Sequence, residues 1–168
     1  MSIERCTADG EPMSAPALPT WNRLRSSAPG RWLFSRAICL KAPYFASIRP
    51  LFRRLEPGLC EVGFRKRRAV LNHIGTVHAI AMCNAAELAG GLVTEVTLPE
   101  THRWIPKGMR VEYLKTATTD LVATARCTLP ETLADQQTLE VAVEVRDTSG
   151  STVFRALIDM HVSRRRPR

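Results

Sequence analysis

The sequence contains no run of 18 or more apolar residues, so no segment is expected to cross a bilayer as a helix. It has no C-x-x-C pair either. Its five cysteines, Cys6, Cys39, Cys60, Cys83 and Cys127, are scattered and have no histidine at metal-ligand spacing. No metal site and no disulfide framework is therefore expected, and the thiols read as small apolar groups in a reducing compartment. The start, Met1-Ser2-Ile3-Glu4-Arg5, lacks a basic-then-apolar segment, which argues against a secretory signal and for cytoplasmic residence. Internal repeats and low-complexity segments are lacking as well.

What is present suits one globular domain: 168 residues, 45% apolar and 24% charged. The net charge of +8 is unevenly spread, because residues 21–68 hold twelve Lys/Arg against two acids while residues 72–162 hold seven against eleven. Such asymmetry fits nucleic acid, acidic lipid or a ligand bearing several phosphates. No nucleic-acid-binding motif accompanies the charge, so nucleic acid is not an expected partner.

Residues 1–19, with Gly10, Pro12, Pro16 and Pro19, read as a disordered leader. A short helix through Trp21 and Leu24 is expected to break at Pro29-Gly30. Pro43 permits another start, with Tyr44, Phe45, Ile48, Leu51, Phe52 and Leu55 on one face and Pro57-Gly58 as its end. Residues 20–57 thus read as an N-terminal helical extension. Strands are expected at 59–70, 92–97, 109–115, 121–129, 138–147 and 152–162, with turns at Pro130 and Ser149-Gly150. Between the first two lies a helix over 77–89, with Thr76 available as its cap and Gly90-Gly91 as its stop. The class is α+β, an antiparallel sheet wrapped around one central helix over 58–163, with a basic tail at 164–168.

That helix carries Glu87 in the otherwise apolar run 79–89. An ionised carboxylate there needs a reason, since apolar burial without a partner costs several kcal/mol. From the residues alone, an ion pair at an interface and a general base are both open. His78 precedes Glu87 by nine positions. On a helix of 3.6 residues per turn that spacing places them half a turn apart and roughly 13 Å along the axis. One chain cannot bring them together, and a shared site requires a second copy.

The pattern Asn72, Gly75, Thr76, His78, Glu87 (Asn-x-x-Gly-Thr-x-His-x8-Glu) resembles the hotdog-fold thioesterases of the phenylacetyl-CoA thioesterase type. The whole chain from Trp21 on is similar to an uncharacterised bacterial branch of that superfamily. Segments 109–115 and 120–126 look like the family's central hairpin after the helix. The resemblance implies a hotdog fold, a homodimer or a dimer of dimers (homotetramer), and hydrolysis of an acyl-CoA without metal or redox cofactor. It implies Glu87 as base or nucleophile, His78 as the group orienting the loop or leaving group, and Asn72 with the Ala79 amide as oxyanion donors. Gly75 and Thr76 would contact substrate. One departure stands out: the family has Gly-Gly after the motif histidine, where this chain has Ala79-Ile80. That departure motivates a second reading, a noncatalytic acyl-CoA binding protein.

Two basic features remain. The run Arg65-Lys66-Arg67-Arg68 reads as a solvated strand edge or, through Arg65 and Arg67, as a holder of coenzyme A phosphates. Segment 103–108 reads as a loop packed by Trp104, with Lys107 near the substrate.

Overall fold

The computed structural model describes residues 17–165. In chain order they form α1 (Ala17–Leu24), α2 (Ala28–Lys41), β1 (Leu51–Glu56), β2 (Leu59–Phe64), α3 (Ala79–Thr97), β3 (His102–Tyr113), β4 (Leu121–Arg126), β5 (Gln136–Arg146) and β6 (Thr152–Arg164), with 3₁₀ turns at Pro43–Ile48 and Arg68–Val70. The strands make one antiparallel sheet in the order β1-β2-β4-β5-β6-β3. α3 leaves β2 near one edge and delivers the chain to β3 at the other, so it crosses the whole inner face and packs against all six strands. This is the hotdog architecture, a sheet wrapped around one helix.

Alternation along the strands explains the wrap. Val141, Val143 and Val145 of β5 and Phe154, Ala156, Ile158 and Met160 of β6 are buried, and their neighbours Ala142, Arg146, Arg155 and Leu157 are exposed. On α3 the opposing face is made of Ala85, Ala86, Leu88, Ala89 and Leu92, all at most 1% exposed. By length and composition α3 would pass as a bilayer-spanning helix, and 61% of it is buried within the fold. Its apolar character is that of a core helix.

Gly90-Gly91 do not stop this helix. A Cβ on Gly90 would stand 2.8 Å from Ile158 Cδ1, and one on Gly91 2.8 Å from Trp104 Cη2. The glycines are there for close approach, and residues 92–97 are helix instead of the expected strand. Thr94 and Thr97, β-branched residues in that last stretch, bond back to the carbonyls of Gly90 and Val93. At the other end the cap is His78, not Thr76.

The N-terminal extension also departs from expectation. Pro29-Gly30 lies at the start of α2, where proline fits the first turn and Ser27 Oγ accepts from the Gly30 amide at 3.1 Å. Residues 17–19 of the expected leader belong to α1, while 1–16, including Cys6, and 166–168 of the basic tail lie outside the described residues. Residues 51–56, expected as helix, are β1, hairpinned to β2 through Gly58 at φ 84°. Trp21, Phe34 and Phe52 form an edge-to-face cluster with ring centroids 5.2–6.4 Å apart, joining α1 and α2 to β1. The fully buried Ser35 accepts from the Phe52 amide at 2.9 Å and donates to Arg31 O at 2.7 Å, so α2 covers the open edge of β1.

The opposite edge is β3. Its partner is β6, in register from His102↔Arg164 to Tyr113↔Phe154, so segments 109–115 and 120–126 do not form the expected hairpin. A 12-residue strand finds a match in 13-residue β6 and not in six-residue β4. Residues 103–108 belong to this strand, with a bulge between Pro106 and Gly108 that leaves Lys107 unpaired in the ladder. The described cysteines, Cys39, Cys60, Cys83 and Cys127, are free thiols, and burial pushes Cys39, Cys60 and Cys127 above the usual thiol range.

Candidate functional site

The motif loop is a closed structure. Asn72 Oδ1 accepts from the amides of Ile74 and Thr76, both at 3.1 Å, and its Nδ2 donates to Thr76 Oγ1 at 2.7 Å. The Asn72 amide donates to Thr76 O at 2.9 Å, and Gly75, at φ 77°, donates to Asn72 O at 3.1 Å. Asn72, Gly75 and Thr76 therefore act as loop builders, and one Nδ2 hydrogen of Asn72 is left for anything else. The loop is pinned by Val77 N–H to Ala117 O and His78 N–H to Val70 O. Its output is the placement of His78 at the helix start.

His78 is exposed, and its Nδ1 accepts from the Ile80 amide at 3.1 Å. An acceptor Nδ1 puts the proton of the neutral ring on Nε2, which is then a donor. The next amide, that of Ala79, donates to no described residue. It lies at the positive end of a 19-residue helix, where an oxyanion is stabilised.

Glu87 is exposed, contrary to the buried position expected of it. The spacing 80, 83, 87 puts Ile80, half-buried Cys83 and Glu87 on the stripe of α3 that the sheet leaves uncovered. On one side stands β3: Tyr113 Oη is 3.4 Å from Cys83 Sγ, and Trp104 packs on Gly91 and donates to Glu95. The hydrogen bond with Cys83, then burial, pushes the Tyr113 hydroxyl up to about 12, so it stays protonated at neutral pH. On the other side stands the 3₁₀ turn, with Asn84 Nδ2 donating to Ser47 Oγ at 3.0 Å. Glu87 makes no hydrogen bond or ion pair with any described residue. Among the described residues Glu87 is thus an exposed, unpaired carboxylate on a helix stripe beside edge strand β3.

The remaining candidates do not gather around Glu87 in one protomer. His78 is the N-cap of α3, nine residues before Glu87, a spacing of roughly 13 Å along the axis. Arg65 and Arg67 lie in the segment after β2, not on a strand edge, and Arg67 donates to Ser47 O. They line a cleft of about 690 Å³ that none of Asn72, His78 or Glu87 enters. Lys107 is exposed on β3 at the opposite edge of the sheet. Tyr113 was missed by sequence reasoning and Trp104 was read only as loop packing, because the β3–β6 pairing that sets them beside α3 has no local signal, while Glu95 was missed because residues 92–97 were expected as a strand.

Residues 30–162 match the family of domains of unknown function DUF4442. The chain belongs to that family. The DUF4442 chain is 48% identical to the crystal structure of genomics protein APC5556, covering 88% of this chain and 97% of that one with a TM-score of 0.76. Thioesterase HI1161 from Haemophilus influenzae aligns at 12% identity over 72% of this chain and 82% of its own, TM-score 0.63. A thioesterase family protein from Silicibacter pomeroyi aligns at 16% identity over 78% and 96%, TM-score 0.67. The last two likenesses show the fold. No curated protein matches the sequence.

Proposed function

We propose that this DUF4442 protein hydrolyses an acyl-CoA thioester at a site that two copies complete. The observation that carries the reading is Glu87, a carboxylate unpaired and exposed on the one uncovered stripe of a core helix. In the reaction Glu87 takes a proton from water, whose oxygen attacks the thioester carbonyl carbon. The partner copy's helix start supplies the opposing groups: the unpartnered Ala79 amide and the remaining amide hydrogen of Asn72 face the oxyanion, and His78 Nε2–H orients the substrate. Collapse breaks the C–S bond, and the proton held by Glu87 goes to the departing thiolate. Attack by the carboxylate itself, through an anhydride, gives the same products.

Supporting this reading, the fold is one that thioesterase-named proteins share. In this reading Gly75 and Thr76 present loop backbone to the substrate, Arg65 and Arg67 take coenzyme A phosphates, and Lys107, exposed on β3, meets the substrate's outer part. Hydrolysis by water and a carboxylate needs neither metal nor redox group. The second reading, binding without turnover, draws on Ile80, which is 54% exposed on the Glu87 stripe where the thioesterases that the motif resembles have glycine.

Thiol release over a panel of acyl-CoAs tests the proposal. Wild type should turn over at least one of them, and Glu87→Gln should reduce the rate by about 10²-fold or more with the thermal unfolding midpoint unchanged. Undiminished turnover in the variant contradicts the role of Glu87, and binding without release favours the second reading.

A further inference from the structure

Six of the twelve basic residues in 21–68 line one cavity. From α2 come Trp32 and Arg36, from the 3₁₀–β1 connection Arg49, from β1 Arg53, and from the segment after β2 Arg65 and Arg67, lining a cleft of about 690 Å³. Its one acidic lining residue, Asp120, accepts from the Lys66 amide at 2.8 Å. The cations are therefore largely uncompensated. Arg36 and Arg67 each use a terminal nitrogen on backbone, at Pro50 O and Ser47 O, yet their Nε atoms are buried and have no partner. Buried donors left unpaired are costly, and an acceptor brought by an anionic ligand would satisfy them.

The backbone tells the same story. Arg49 sits in the left-handed region, φ 49° and ψ 61°, a conformation glycine adopts without penalty and other residues rarely take. It shares the cleft with Arg67, whose guanidinium is lowered from its usual range first by desolvation and then by the Arg49 charge. Like charges at one cleft mark a place where an anion relieves the repulsion. Trp32, 58% exposed at the rim, offers an aromatic face.

We propose that this cleft binds a nucleotide bearing two or more phosphates, with the phosphates on Arg36, Arg49, Arg53, Arg65 and Arg67 and the base against Trp32. The volume is that of a small-molecule site. A bounded cleft, rather than an extended basic stripe, favours a mononucleotide over a nucleic acid. Two sources share this chemistry. One is the nucleotide end of the coenzyme A thioester, which rests on the hydrolase reading above; the other is a free nucleotide, which does not.

Calorimetric titration of the full chain with 3′,5′-ADP and with ATP, requiring no turnover, tests the cleft. Binding is expected, accompanied by a change in tryptophan fluorescence that is lost in Trp32→Ala. Arg53→Gln combined with Arg65→Gln should weaken it at least about tenfold without moving the unfolding midpoint. Competition of 3′,5′-ADP with acyl-CoA, measured as displacement, assigns the cleft to the substrate; ATP binding that leaves acyl-CoA affinity unchanged assigns it to a free nucleotide. Failure of both nucleotides to bind, equal binding by the double variant, or binding of duplex DNA alone overturns the proposal, and none of these results alters the outcome expected of Glu87→Gln.

Discussion

Glu87 and His78 are both exposed, but only His78 carries a structural duty within the protomer, capping α3 through Nδ1. That double duty complicates mutagenesis. His78→Ala removes the cap and should lower stability by about 1 kcal/mol in urea unfolding, whereas His78→Asn restores an acceptor and should stay near wild type. Equal losses in the two variants would show that the Nδ1 contact contributes nothing as a cap. At this scale the sequence misjudged the surroundings of Glu87 and the cap of α3. Glu87 sits in an apolar run, and only the three-dimensional wrap reveals that positions 80, 83 and 87 are the stripe the sheet leaves open. Gly90-Gly91 gave the same kind of ambiguity, since a helix stop and a close-packed helix interior use the same residue.

Among the elements, β1 was hidden by its own geometry. A bulge between Phe52 and Arg54 turns Phe52 and Leu55 to the same side, and that spacing of three imitates a helix. The long antiparallel strands β5 and β6, whose mutual register shifts only at their turn end, between Val145 and Arg146, were legible from alternation. The edge of β1 depends on Ser35, which no local pattern announces. Ser35→Ala leaves the Phe52 amide without its acceptor and should cost about 1–3 kcal/mol, measured as a shift of the urea midpoint. An unshifted midpoint would mean that water reaches this edge. The β5–β6 turn adds a pH dependence. Asp147 accepts from the Ser149 hydroxyl and from the amides of Ser151 and Ser149, which together with Lys115 hold its carboxyl below the usual carboxylate range. A lowered folded-state value means that the turn's stabilisation is present above about pH 4 and fades as the pH falls through the lowered value. Asp147→Asn should flatten that acid limb in thermal melts taken between about pH 5 and pH 2; an identical limb would remove Asp147 from the acid transition.

For the whole molecule, the α+β wrap was readable because β periodicity flanks one helical run on both sides. The strand order was not readable: β3 joins the far edge beside β6, a pairing of matched lengths with no local signal. That order decides the function proposed here. It sets edge strand β3 beside the Glu87 stripe, while the nine-residue spacing along α3 holds His78 roughly 13 Å from Glu87, so the composite site proposed above calls on a second copy. Mixing Glu87→Gln with His78→Asn subunits is the direct measure of this claim. Each variant alone should be inactive in thiol release, and tagged co-purification establishes that heterodimers form. The account predicts that they recover up to half of the wild-type activity per dimer, because one of the two sites receives Glu87 and His78 intact. Heterodimers that form and remain inactive would contradict it.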